Sequence, residues 1–358
     1  MKKKHIRDYG ILIGEMPTGE KNTICDVNGV TVGHHTIHNG EIHTGVTALF
    51  PHQENLFEEK VPAAAFVANG FGKSMGLVQI EELGNIETPI LLTNTLSIGT
   101  AADTLIKYKI ARNPTIGNET GTVNPVVCEC NDGPLNDIRG QHVTPEMVNR
   151  AMAGASSQME EGAVGGGAGM SCYKLKGGIG SASRIIEAGE KRFTLGVMVQ
   201  TNMGELRDLT IDGNPVGRKI VALQKQDVDT SPDKGSIIII VATDAPLSSR
   251  QLKRVAKRAM VGVIRTGSYI GEGSGEISLA FSTGRRIHHQ RTMEVCQTPI
   301  LHESRMDLLF RAVAEATEEA ILNSMTMAET TTGFAGLTRT SLNEYASFFE
   351  ANDEDSGK

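Results

Sequence analysis

The sequence predicts a layered α/β or α+β sandwich, and three observations carry that prediction. Two long apolar runs rich in β-branched residues, FTLGVMVQTN (193–202) and GSIIIIVATD (235–244), have the composition of strands buried on both faces. Segments of helical periodicity stand between such runs, the arrangement of sheets covered by helices. Glycine supplies 40 of 358 residues at 39% hydrophobic content, which speaks for many tight turns rather than for disorder.

In chain order, strand candidates come first: ICDVNGVTVGHHTI (24–37), GVTALF (45–50), AAAFVAN (63–69), PILLTNTLSI (89–98) and VNPVVCEC (123–130). A helix is expected in TPEMVNRAMAGASS (144–157), with Thr144 as its cap, Pro145 in its first turn and Glu146 at its positive end. The two long apolar strands follow. Between them lies QKQDVDTSPDKG (224–235), a polar, Pro-containing stretch that reads as an exposed loop. RQLKRVAKR (250–258) reads as a helix whose inner stripe is Leu252, Val255, Ala256 and Ala259, its basic residues facing water. GEISLAFST (275–283) is a further strand, and SRMDLLFRAVAEATEEAILNSM (304–325) a helix with Leu308, Leu309, Ala312, Val313, Ala316 and Ala320 inward. Only the tail NDEDSGK (352–358) reads as disordered. Residues 1–358 are expected to form a single domain.

Composition excludes several classes. A net charge of -7 argues against nucleic acid as a partner, because phosphate binding needs concentrated positive charge. The longest apolar runs fall well short of the roughly 20 residues that a membrane helix needs. The basic start, MKKKHIRDYGILIGE, loses its apolar run at Gly14 and Glu15, too early for a secretory signal, so a cytoplasmic location is expected. Five cysteines without C-x-x-C spacing suggest neither a zinc module nor a disulfide framework, and Cys128 and Cys130 read as core-lining thiols on one strand face.

Common catalytic motifs are also missing. GFGKS (70–74) resembles a phosphate loop, but Val67 stands where its leading Gly belongs. GAVGGGAGM (162–170) lacks the dinucleotide spacing, and GEGSGE places Glu272 and Glu276 where a hydrolase elbow needs glycines. The His34-His35-His38 and His288-His289 groups have no companions at ligand spacing, so no metal is expected.

What remains is a set of polar residues at the ends of apolar runs: Asn202, Ser236, Ser274 and Glu276. Strand ends meeting at one rim would make a site of rigid parts. A serine needs a base to become a nucleophile, and no His lies near Ser236 in sequence. Cutting the chain between Gly235 and Ser236 would supply one, since a new α-amine has a pKa of about 7.7 to 8.0. Gly235 leaves that bond unobstructed, and the isoleucine run anchors the hydroxyl.

The chain resembles the self-processing aminopeptidases of the DmpA and BapA type, the L-aminopeptidase/D-esterases and β-peptidyl aminopeptidases. The matching stretches span nearly the whole length: NTICDVNGVTVGHHT (22–36), HTGVTALFPH (43–52), GPLNDIRG (133–140), EGAVGGGAGMSCYKLKGGIGSASR (161–184), VQTNMG (199–204), GSIIIIVATDAPLSSRQLKRVAKRA (235–259) and RTGSYIGEGSGEISLAFST (265–283). The resemblance implies a four-layer αββα sandwich like that of the Ntn hydrolases but differently connected. It implies self-cleavage into an α chain, residues 1–235, and a β chain, residues 236–358, with processed pairs assembling as a homotetramer. It places the nucleophile on Ser236, its orienting hydroxyl and carboxylate on Ser274 and Glu276, and the oxyanion amide on Asn202. Where the founding enzyme has a Tyr before Asp-Gly, this chain has Asn131; with Glu129 and Asp132 it is a candidate for substrate binding. The implied activity is hydrolysis of short peptides, amino acid amides or esters through an acyl-enzyme, with no metal or organic cofactor. An acyltransferase related to the self-cleaving ornithine acetyltransferases is the alternative, disfavoured by Ser in place of their Thr; a non-catalytic binding protein on this scaffold is the third reading.

Overall fold

The isoleucine run organises the molecule. In the computed structural model, which describes residues 3–224, 235–290 and 294–350, the principal strands are β1 (Thr31–Asn39), β2 (Ile42–Phe50), β3 (Glu59–Gly70), β4 (Ile90–Asn94), β5 (Val126–Cys130), β6 (Ile179–Ala188), β7 (Lys191–Asn202), β8 (Ser236–Thr243), β9 (Gly275–Ser282) and β10 (Ile287–His288). The helices are α1 (Leu77–Leu83), α2 (Ile98–Arg112), α3 (Pro145–Ala153), α4 (Val216–Gln224), α5 (Ser249–Arg265) and α6 (Met306–Thr326). The loop expected at 224–235 and the tail at 352–358 fall, apart from Gln224 and Gly235, outside the described residues.

β8 lies inside the larger sheet, ordered β10-β3-β9-β8-β7-β6, with the short strand Asn85–Ile86 also on β3. Ile237, Ile239 and Val241 pack with Leu252, Val255 and Ala256 of α5 and Leu309, Ala312 and Val313 of α6. The alternate residues Ile238, Ile240 and Ala242 join Leu49, Leu92, Val126 and Cys128 of a second sheet, ordered β1-β2-β4-β5. The outer face of that sheet, through Val46, Ala48, Leu91 and Val127, is covered by Ala101 and Leu105 of α2 and Val148 and Ala151 of α3. The layers are therefore helix, sheet, sheet, helix, as expected. Each isoleucine buried this way contributes about 1.5–3 kcal/mol, which makes β8 one of the best-anchored segments of the chain.

The parallel pairs β4/β5 and β8/β9 need crossover connections, and α2 and α5 provide them. α5 buries the inner stripe foreseen, Leu252, Val255, Ala256 and Ala259. Three expectations need correction. The strand foreseen at 24–37 starts at Thr31, because Thr23 and Asp26 cap each other's backbone and wind Ile24–Asp26 into a 3-10 turn. The run 89–98 stops at Asn94, whose side chain accepts from Leu96 N and Ser97 N and so caps the 3-10 turn Thr95–Ser97 that leads into α2. α6 is not amphipathic: from Ala312 onward it is buried all round, while Leu308 is only half-buried. Its backbone also lies so close to β6 that a Cβ on Gly180 would stand 2.0 Å from Ala320 O. In α3, Thr144 occupies the cap position but its side chain makes no capping bond.

Burying α6 means burying its acids. Arg184, itself without exposure, donates from Nε to Glu315 Oε2 (3.1 Å) and from Nη2 to Glu319 Oε2 (2.7 Å) and Ile13 O (2.6 Å). Arg7 reaches Glu319 Oε1 from Nε at 2.5 Å. Burial pushes the Glu319 carboxyl up, but the bond from Arg7 and the charges of Arg184 and Arg7 outweigh it and hold the group below its ordinary value. Breaking such a pair costs more than its net worth, since the partner is left charged in the interior. Arg184→Ala is expected to lower unfolding free energy by about 3–5 kcal/mol, read from the shift in denaturant midpoint.

Candidate active site

Strand register alone brings the polar strand ends together. β7 and β8 pair antiparallel with Asn202 opposite Ser236, and β8 and β9 pair parallel with Ser236 opposite Gly275. β9 and β3 pair antiparallel, Gly275 opposite Gly70 and Glu276 opposite Asn69. Asn202, Ser236 and the Ser274–Glu276 segment thus occupy one rim of the larger sheet. The register is pinned because a slip of one residue would exchange the two buried faces of β8.

At the centre, Ser236 Oγ donates to Gly235 O at 2.7 Å and accepts from Gly275 N at 3.3 Å. Gly235 is packed tightly: a Cβ there would lie 2.1 Å from Asn202 O and 2.5 Å from Met203 Cα. Ser274 Oγ donates to Glu276 Oε1, and both residues are fully buried. Asn202 Oδ1 accepts from Ser171 N at 3.0 Å. That bond fixes which end of the amide is which, leaving Nδ2 as its donor for a ligand.

Glu129, at the end of β5, approaches from the second sheet. Its Oε1 accepts from Lys73 N at 2.7 Å and its Oε2 from Thr95 Oγ1. The segment 71–73 bridges it to β8: a Cβ on Gly72 would lie 3.5 Å from Glu129 Oε1, and one on Gly275 would lie 2.8 Å from Phe71 O and 3.3 Å from Ser236 Oγ. Asn131 is exposed and closes its own turn by accepting from Gly133 N at 2.9 Å. Asp132 is fully buried and accepts from Asn136 Nδ2 at 3.0 Å; burial raises its carboxyl to about 6. The structure therefore groups Asn202, Ser236, Ser274 and Glu276, sets Glu129 at their flank, and gives Asn131 and Asp132 no hydrogen bond to that group.

Reading residue types alone missed the Gly275 amide, Ser171, Asn69 and the 71–73 segment. GFGKS carries no signal for the last: a Cβ on Gly72 would meet Glu129 Oε1 and Ile277 Cδ1 at ordinary contact distances of 3.5 and 3.6 Å, and the bond to Glu129 comes from the Lys73 main chain.

With this geometry described, comparison with known proteins is informative. The model of peptidase family S58 matches residues 22–339. The chain is 38% identical over 355 residues to the beta-peptidyl aminopeptidase BapA of Sphingosinicella microcystinivorans, covering 93% of this chain and 88% of that protein. Among solved structures, the PH0078 protein of Pyrococcus horikoshii OT3 is similar at 49% identity and a TM-score of 0.91, covering 97% of this chain and 98% of that one. The L-aminopeptidase D-Ala-esterase/amidase of Ochrobactrum anthropi, described as a prototype serine aminopeptidase and a new variant of the Ntn hydrolase fold, follows at 36% identity and a TM-score of 0.88, covering 96% and 99%.

The crowding at Gly235 gives a prediction that needs no catalytic assumption. While residues 235 and 236 remain joined, Gly235→Val is expected to push the end of β7 away and destabilise the protein by about 1–3 kcal/mol, measured as a lowered melting temperature of the uncleaved chain.

Proposed function

The chain belongs to peptidase family S58 and is a serine-type aminopeptidase of the DmpA and BapA type; on that premise we propose that it cuts its own backbone before Ser236 and then works through the new terminus. In the first step Ser236 Oγ attacks the Gly235 carbonyl carbon, the C–N bond breaks, and the hydroxyl proton passes to the departing nitrogen. Water then hydrolyses the resulting ester, leaving a Gly235 carboxylate and a Ser236 that carries both a free amine and a hydroxyl. Oγ lies 2.7 Å from the Gly235 oxygen, beside the bond it is proposed to attack, and that proximity supports the reading.

In turnover, the amine takes the proton of Oγ as it attacks the carbonyl of a short peptide, amide or ester. The proton goes on to the leaving amine, or to the leaving alkoxide of an ester, an acyl-enzyme forms, and water activated by the Ser236 amine releases it. Asn202 Nδ2 is the proposed donor to the tetrahedral oxyanion. Ser274, its proton committed to Glu276, offers oxygen lone pairs to the charged Ser236 terminus, and the Glu276 carboxylate favours that charge. Glu129 is suited to accept the ammonium of the substrate's first residue. The observation that carries the reading is the row Asn202, Ser236, Gly275 across three paired strands.

After cleavage the two products would stay together. β8 remains hydrogen-bonded to β7 of the first segment, and Arg7 and Arg184 of residues 1–235 stay paired with Glu315 and Glu319 of residues 236–358. We further propose a homotetramer of processed pairs in the cytoplasm, where the five free cysteines, four of them buried, suit a reducing compartment. Among the described residues no helix is long and apolar enough to cross a membrane. The transferase reading is not favoured, since the Sphingosinicella and Ochrobactrum relatives are both named as aminopeptidases.

Mass spectrometry of the purified protein is expected to show two polypeptides, ending at Gly235 and beginning at Ser236, and a single one for Ser236→Ala. Two polypeptides in that variant would assign the cut to another protease. Asn202→Ala, assayed on an amino acid amide after complete processing, is expected to lose about 10²–10³ in kcat with little change in KM.

A further inference from the structure

One side chain at this rim has no part in the steps above. Asn69 ends β3 opposite Glu276, and its amide nitrogen faces three carbonyls of the turn leading into β9: Gly271 O at 3.0 Å, Glu272 O at 2.9 Å and Ser274 O. Carbonyl oxygens only accept, so the NH2 end of the amide must be the end that meets them. The turn is closed from within by Ser274 N donating to Gly271 O at 3.0 Å. It alternates glycine with polar residues, Gly271-Glu272-Gly273-Ser274-Gly275-Glu276, and glycines give a turn little stiffness of its own. A bulge between Glu276 and Ile277 interrupts the ladder beside it. Pairing with β8 fixes the segment from Gly275 onward, and the turn before it, beyond its one internal bond, is tied to the rest of the sheet through Asn69.

We propose that Asn69 is a positioning residue, whose amide holds the 271–274 turn so that Ser274 stays bonded to Glu276 beside the Ser236 terminus. The proposal rests on the reading that Ser274 and Glu276 serve the nucleophile. It makes the chemical identity of residue 69 matter more than its size. A carboxylate of the same shape turns an acceptor toward three other acceptors, whereas a protonated carboxyl can donate one bond again.

The test compares Asn69→Asp and Asn69→Ala with wild type on an amino acid p-nitroanilide between about pH 5.5 and 9, using protein shown by mass spectrometry to be fully processed. For Asn69→Asp, kcat at pH 8 is expected to fall roughly a hundredfold with KM within about threefold of wild type. The ratio of variant to wild-type kcat should then climb about tenfold toward pH 5.5, as the carboxyl facing those carbonyls takes up a proton. Asn69→Ala should lose about tenfold in kcat at a ratio independent of pH. A flat ratio for Asn69→Asp, or a loss confined to KM, overturns the proposal. Should Asn69→Asp fail to fold or process, Asn69→Ala decides: a loss of kcat at an unchanged melting temperature supports positioning, and unchanged kcat refutes it. Glu276→Gln and Ser274→Ala separate the two levels. If both keep wild-type activity, the reading of the pair fails and the proposal with it; if both are inactive while the Asn69 variants match wild type, the positioning proposal alone fails.

Discussion

Everything at the rim depends on β8 being held on both faces. A strand with one wet face can slide or fray, but here Ile237 and Ile239 are fixed against α5 and α6 while Ile238 and Ile240 are fixed against the second sheet. The polar residue that opens such a strand inherits its immobility. With β7 and β9 paired in register, Asn202 and Gly275 inherit it too. Fixed groups owe little reorganisation when charge develops, which is where catalytic sites gain most over water. The hydroxyl is thus placed by hydrophobic packing, and its own hydrogen bonds only finish the job.

How much of this was legible beforehand follows from what each element depends on. β8 could be read because four β-branched residues in a row fit a buried strand and little else. α5 could be read because its polar and apolar residues separate cleanly around a helix. α2 could not: only a 3-10 turn separates it from a strand, and the event that starts that turn, Asn94 turning its side chain onto the backbone of Leu96 and Ser97, is a local bond that periodicity does not register. β6, with Ser181, Ser183 and Arg184 along it, hid for a related reason. Its polar groups are buried against partners far off in the chain, Asn22, Glu315 and Glu319.

The site divides the same way. Ser236, Ser274, Glu276 and Asn202 were legible as polar ends of apolar runs, and the family resemblance assigned their roles. What the residues alone withheld were the backbone donor of Gly275, the bond from Ser171 that orients Asn202, and the clamp at Asn69. Each involves main-chain atoms, which every residue type carries alike. Nothing in the sequence marks the acids of α6 as buried, because only the fold brings Arg7 and Arg184 to Glu315 and Glu319.

The proposed mechanism makes one group do the work of a base: the α-amine that the hydroxyl's own residue acquires. Mild periodate oxidation addresses that group directly, since it cleaves the 1,2-amino alcohol of an N-terminal serine and leaves internal serines alone. Activity should fall in step with oxidation of the fragment that begins at Ser236, with thiols and thioethers followed in the same mass spectra. A preparation whose Ser236 terminus is fully oxidised but which still hydrolyses amino acid amides at the original rate would contradict it.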